Sequence, residues 1–160
     1  MRYHPPQHPK LPRLRKKIHR NGRRTERKLK IKKQLQIKNQ ELMKENVVQQ
    51  KSFAFAIRII KMYTYLQQEK KEYVLSKQLL RSGTSIGANI EESIGGQSDK
   101  DFLSKISIAY KEARESIYWL RLLQASDYLN ENEGKSLIND AEELCKILAK
   151  IQITLKSRNS

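Results

Sequence analysis

Apolar residues in the last two thirds of the chain recur at helical intervals. Phe53, Ile57, Ile60 and Thr64, flanked by Ala56 and Tyr63, predict a first helix of about 17 residues from Ser52. The polar run Gln67–Glu72 ends or bends it. Leu75, Leu79, Ile86, Ile90 and Ile94 fall at steps of four, seven, four and four, and predict a second helix from about Tyr73 to Ile94. Gly95-Gly96 closes that helix. Phe102, Ile106, Ala109, Ala113, Ile117, Leu120 and Leu123 predict a third, running to about Ser126. Ser98, three residues before Asp101, forms an approximate capping box for it. Asn130 and Glu133 repeat that pattern before a fourth helix, where Leu137, Ala141, Leu144, Leu148, Ile151 and Leu155 keep a 4-3-4-3-4 rhythm. No strand pattern competes. Four helices with short connections predict an all-α fold, an antiparallel up-down four-helix bundle.

The second helix is the least obvious element. Gly83, Gly87 and several Ser and Thr make residues 79–96 read as a loop by propensity, since each mid-helix glycine costs about 1 kcal/mol relative to alanine. The large apolar residues nevertheless keep helical time. A helix that accepts small residues on one face does so to let another backbone come close, so a packed helix is predicted rather than a ligand loop.

Charge divides the chain. Its 33 Lys and Arg against 17 Asp and Glu give a net +16. Residues 1–51 hold 17 basic against 3 acidic, whereas residues 52–160 hold 16 against 14. Domain organisation follows: a basic N-terminal extension over 1–42, and a four-helix bundle domain over 43–160. All four prolines lie within the first twelve residues, and 13–33 is nearly a polybasic run. Such a block cannot pack on itself and is expected to be disordered alone. Leu29, Ile31, Leu35 and Ile37 fit neither a clean alternation nor a clean helical face, and a frayed helix is the mild preference there.

The chemistry of catalysis is sparse. Residues 52–160 contain no histidine, so the commonest general base is missing. The single cysteine, Cys145, cannot form an internal disulfide, suggests a reducing compartment, and reads as a buried structural thiol. His4 and His8 are separated by Pro5 and Pro6, which prevents a shared helical face for a metal. No Cys/His cluster suggests zinc. The segment from Gly83 to Gly87 lacks the Gly-Lys-Ser/Thr ending of a phosphate loop. Glu91-Glu92, Glu112 with Glu115, and Glu142-Glu143 read as surface or salt-bridge partners, because no Glu-x-x-His pair accompanies them. No enzyme, cofactor or metal is expected. With no run of 18 apolar residues and no apolar leader, membrane association is not expected and the cytoplasm is the expected location.

Two surfaces carry candidate roles. Arg81, Ser85 and Asn89 recur every four residues along the second helix, and Glu112 and Glu115 on the third could face them. The preferred reading is a structural polar layer, with Arg81 paired to a glutamate and Asn89 bonded across the bundle. The competing reading makes Arg81, with Lys77 one turn earlier, a phosphate contact. The third helix also has more apolar surface than one seam can hide: Leu103, Ile108, Tyr110, Tyr118, Trp119 and Leu122 lie off its core stripe. Self-association is expected, with Tyr110, Tyr118 and Trp119 as interface candidates.

KSFAFAIRIIKMY at 51–63, LLRSGTSIGANIEES at 79–93 and FLSKISIAYKEARESIYWLRLL at 102–123 resemble the four helix bundle protein family, also known as the 23S rRNA intervening-sequence protein family. That family is distantly similar to the accessory variability determinant of diversity-generating retroelements. The resemblance spans about residues 43–157, and RSGTSIGANIEE is its most specific element. It implies a small four-helix protomer assembling into a ring-like homopentamer. For the distant relative it implies a basic surface that binds nucleic acid and a reverse transcriptase. Family members begin near Met43, with MKEN leading into the first helix, so Met43 is the expected start and 1–42 an over-extended translation. Gln40-Glu41 encoded as CAG-GAA would supply a purine-rich ribosome-binding sequence there. A Met1 or Arg2 terminus found by mass spectrometry of the native protein would reject that start.

Two functions remain open. One is a bacterial homo-oligomeric accessory protein that binds RNA or DNA non-specifically, through Arg23, Arg24, Arg27, Lys28, Lys30, Lys32 and Lys33 of the extension and through Lys77 and Arg81. The other is a protein–protein scaffold ring that docks a factor such as a reverse transcriptase, consistent with 18 basic against 15 acidic residues over 43–160.

Overall fold

The computed structural model describes residues 1–2 and 12–158, with side chains described at 1–2, 26–37 and 47–157. The described residues form four helices and no strand: α1 (Pro12–Gln68), α2 (Leu75–Ile94), α3 (Asp99–Ala125) and α4 (Glu131–Arg158). The chain divides into two compact units, Met1–Met43 and Lys44–Ser160.

In the first unit the structure departs from the expected disorder, since α1 already begins at Pro12. Proline suits the first helical position, where its missing N–H goes unused. Beyond it stand only one glycine, Gly22, and many Lys, Arg, Gln, Glu and Leu, all good helix formers. Glu26 precedes Lys30 at the favourable i,i+4 spacing. Charge density argues against a packed core, and it does not argue against a helix.

The second unit has one apolar core to which all four helices contribute. α1 supplies Val48, Phe55, Ile59 and Leu66; α2 supplies Leu79, Ile86 and Ile90. From α3 come Ile106, Ala109, Ala113, Leu120 and Leu123, and from α4 Leu137, Ala141, Leu144 and Leu148. The α1 face is a correction. The periodic residues Phe53, Ile57, Ile60 and Thr64 are all exposed, whereas the buried stripe is Val48, Ser52, Phe55, Ile59 and Leu66. Two apolar stripes share this helix, and the buried one is interrupted by a serine.

Ser52 is where it is because α2 comes close. A Cβ built on Gly87 would lie 3.6 Å from the Ser52 hydroxyl, in ordinary contact. One turn away the fit is tighter: a Cβ on Gly83 would sit 2.8 Å from Ile59 Cγ1 and 2.9 Å from Cγ2. Ile59 is fully buried and β-branched, so it cannot swing aside. On the next face of α2, the Ser116 hydroxyl of α3 donates to the Ser82 hydroxyl at 2.9 Å, both buried. Cross-helix contacts link the C-terminal half of α1 to late α2 (Gln49 to Glu91) and late α2 to early α3 (Glu92 to Lys105). Others link late α3 to mid α4 (Arg121 to Glu142) and the C-terminal half of α1 to mid α4 (Lys51 to Glu143).

Helix ends are capped by side chains. Ser98 accepts from Asp101 N–H, and Asn130 Oδ1 accepts from Glu133 N–H at 2.9 Å. The start of α2 is held by Glu72, which the sequence reading left in a polar run. Its buried carboxylate accepts backbone N–H bonds from Val74, Leu75 and Ser76 at 3.0, 2.8 and 2.6 Å. Burial alone would push this carboxyl up. The backbone donors outweigh burial and hold it below its ordinary value. Lys71, immediately before, takes a left-handed φ of 54°, which turns the chain back so that Glu72 points into the helix start.

The two glycines predict opposite outcomes. Gly83→Ala should lower the melting temperature of the full chain by several degrees, because overpacking costs about 1–3 kcal/mol and exceeds the propensity gain of about 1 kcal/mol. Gly87→Ala should raise it slightly, and circular-dichroism melts that rank the two alike would refute the close approach. Glu72→Gln should destabilise by about 1–2 kcal/mol at pH 7. The carboxylate is depressed, so its contribution is present above its ordinary pKa and is lost as pH falls through the folded value. The gap between wild type and Gln should therefore close on acidification, and a gap independent of pH would count against the cap.

Candidate nucleic-acid interface

Basic residues fall into two groups with different surroundings. In the second unit several face a carboxylate. Lys51 meets Glu143, Arg58 meets Asp140 and also donates to Ser136, Lys105 meets Glu92, and Arg121 meets Glu142. Arg81 belongs to this group. Its guanidinium pairs with Glu115 and lies 3.9 Å from Glu112. The indole N–H of Trp119 also donates to Glu115 Oε1, at 3.1 Å. Arg81 itself is 57% exposed, so the pair contributes little stability, under about 1 kcal/mol.

Glu112 sits differently. Its Oε2 is buried without a hydrogen-bond donor among the described residues. Burial first, then the neighbouring Glu115 charge, push its carboxyl above the ordinary range, against the pull of Arg81. Arg81 is thus the cation that makes two adjacent carboxylates tolerable, and its fork is occupied before any phosphate arrives.

The remaining polar-layer candidates separate from this cluster. Asn89 does not bond across to another helix, as the sequence reading expected. Its amide donates to the Ser85 carbonyl at 2.9 Å and the Ser85 hydroxyl at 3.1 Å, both on α2. The cause is local: a side-chain amide one turn after a serine finds that partner without crossing a gap. Lys77 is exposed on α2.

On α1, Arg27, Lys28, Lys30, Lys32 and Lys33 are all exposed, and no ion pair among the described residues engages them. At 100° per residue these five cations point around the whole helix. Arg23 and Arg24 lie within α1, their side chains outside the described residues. Among the interface candidates, Tyr118 is 58% exposed and packs edge-on against Trp119, ring centroids 4.9 Å apart. Trp119 and Tyr110 are half-buried against the core.

These residues lie on a chain whose positions 44–150 match the 23S rRNA-intervening sequence proteins. The chain belongs to that family. Among solved structures it is similar to the crystal structure of a protein of unknown function from the S23 ribosomal protein family of Bacteroides thetaiotaomicron. The two share 50% identity over 68% of this chain and 97% of that one, with a TM-score of 0.68. No curated protein matches the chain at a significant level. The family match begins where the second compact unit begins, so the basic segment of α1 lies ahead of the family's shared region.

No group of three or more His, Cys, Asp or Glu among the described residues could hold a metal ion. Cys145 is half-buried, and burial raises its thiol pKa against the pull of Arg114, so the thiol stays protonated. Among the described residues no helix is long and apolar enough to cross a membrane.

Proposed function

We propose that this protein is a non-enzymatic, self-associating accessory factor that binds RNA or DNA non-specifically through the basic segment of α1. In this reading its second unit is an antiparallel up-down four-helix bundle, supported by the short connections between successive helices and by the pairing of Glu92 near the end of α2 with Lys105 near the start of α3. The copies assemble as a ring, with five as the family-based expectation. The location is cytoplasmic.

One observation carries the nucleic-acid reading: over residues 26–33 α1 presents five exposed cations, Arg27, Lys28, Lys30, Lys32 and Lys33, against the single carboxylate of Glu26, and none of the five is in an ion pair among the described residues. Exposed, unpaired Lys and Arg neutralise phosphates and release counterions, and cations around a whole helix demand no single orientation of the strand. The family's description, naming 23S rRNA, fits RNA as the partner. The absence of histidine after His19 and the protonated Cys145 support a role without catalysis.

Mobility shifts of the full chain on a short single-stranded RNA, run from 50 to 200 mM salt, test this. Replacing Lys28, Lys30, Lys32 and Lys33 by Gln should flatten the salt dependence by about 2–3 log units per log unit, at about 0.7 per lost contact. Arg81→Ala should leave affinity within about twofold while costing a few degrees of melting temperature. If the quadruple variant binds like wild type and Arg81→Ala does not, the interface is on the helical unit. A full chain without salt-sensitive binding would favour the scaffold role.

A further inference from the structure

We infer that the basic segment of α1 lies lengthwise in the major groove of double-helical DNA, with lysines on its two flanks reaching the phosphates of both strands. This rests on the nucleic-acid reading proposed above and names the form of the ligand.

The five cations surround the helix, but not evenly. At 100° per residue, Lys28 and Lys32 stand one turn apart on one flank, and Lys30 and Lys33 share a second flank about 150° further round. Arg27 occupies the wider edge between the two pairs, in line with Ile31 and Gln34 at the i+4 and i+7 positions. The opposite edge carries Leu29 and Gln36 and no charge. All of these side chains are exposed. Glu26 stands one turn before Lys30, and neither is in an ion pair among the described residues. Positive charge therefore faces three sides of the helix, and the fourth is neutral.

A groove presents the matching arrangement. It offers one row of phosphates at each rim and base edges at its floor, and it leaves the outer edge of an enclosed helix to solvent. The two lysine pairs lean toward the neutral edge, which is the direction in which the rims lie. Arg27, Ile31 and Gln34 then face the floor with no carboxylate among them to repel it.

Groove widths choose among the forms of nucleic acid. A helix with its side chains is about 10–12 Å across, and the B-form major groove is about 12 Å wide. The minor groove, at about 6 Å, excludes it. The major groove of duplex RNA is deep and narrow, and its shallow minor groove touches one side of a helix only. A single strand has one row of phosphates, so it reaches both flanks only by wrapping around the helix, with an ordering cost that a duplex does not incur. The family match begins at residue 44, after this segment, so the geometry of 26–37 is the ground for choosing the form of its ligand.

Mobility shifts of the full chain at about 100 mM salt test this on a DNA duplex of about 20 base pairs with A·T runs, each of its strands, and the RNA duplex of the same sequence. The DNA duplex should bind at least about tenfold tighter than any of the others. Glucosylated 5-hydroxymethylcytosine at every cytosine fills the major groove and spares the phosphates, and it should weaken binding at least about tenfold. Netropsin bound beforehand in the minor groove should leave affinity within about twofold. Replacing Lys28, Lys30, Lys32 and Lys33 by Gln should flatten the salt dependence on the duplex by about 3–4 log units per log unit, at about 0.9 per lost contact. A single strand or an RNA duplex that binds as tightly as the DNA duplex would overturn the inference, as would a glucosylated duplex that binds like the plain one. Loss of binding to netropsin-treated DNA would place the contact in the minor groove and overturn it equally. In those cases the nucleic-acid reading itself stands. It falls, and the inference with it, if no form shows salt-sensitive binding, or if the quadruple variant holds the duplex like wild type.

Discussion

The close approach of α1 and α2 at Gly83 is the constraint on which the helical unit depends. With no Cβ there, Ile59 seats directly on the α2 backbone, and the two helices come nearer than a pair of ordinary side chains would allow. The neighbouring position Ser82 then falls at the right depth to meet Ser116 of α3. A small-residue face toward α1 and a short hydroxyl toward α3 fit α2 between two neighbours. Its propensity cost of about 1 kcal/mol per glycine is offset by the dispersion contacts that close packing creates. The entry to α2 is set with similar care. Glu72 supplies three orphan N–H groups with one carboxylate, and a left-handed Lys71 aims it.

How much of this could be read from the sequence depends on whether a single face of each helix was apolar. In α4 it was: Leu137, Ala141, Leu144 and Leu148 keep a heptad rhythm and are the residues that the core buries. The α3 seam and the caps at Ser98 and Asn130 were legible for the same reason, since each is a local pattern with one solution. α1 had two apolar stripes, and the more regular one faces solvent. The true core stripe contains Ser52, which makes sense only once Gly87 is opposite it, and that is a contact across 35 positions of sequence. Periodicity shows that a stripe exists; it does not show which of two stripes finds a partner inside the same chain.

The candidate polar cluster was legible in part. The spacing of Arg81 with Glu112 and Glu115 pointed to facing helices, and the structure brings those three together. Asn89 was not assignable, because an amide one turn from a serine can satisfy itself locally, and only coordinates reveal that choice. Trp119 entered the reading as an apolar contact. Its indole N–H also donates to Glu115, a bond set by helix geometry at i,i+4.

The two units differ in charge balance, with 15 Lys and Arg against 2 Glu over residues 1–43 and 18 against 15 over residues 44–160, and this shapes the functional proposal. Exposed ion pairs such as Lys51–Glu143 contribute little to stability, yet each one removes a cation from competition for phosphate. The α1 segment at 26–37 has the reverse character: apolar positions scattered around the helix, one carboxylate, and lysines that nothing neutralises. Association through the second unit would gather several such segments, so that a strand held by one is presented to the next at high effective concentration. Affinity would then grow with the number of copies, without any segment having to read a base.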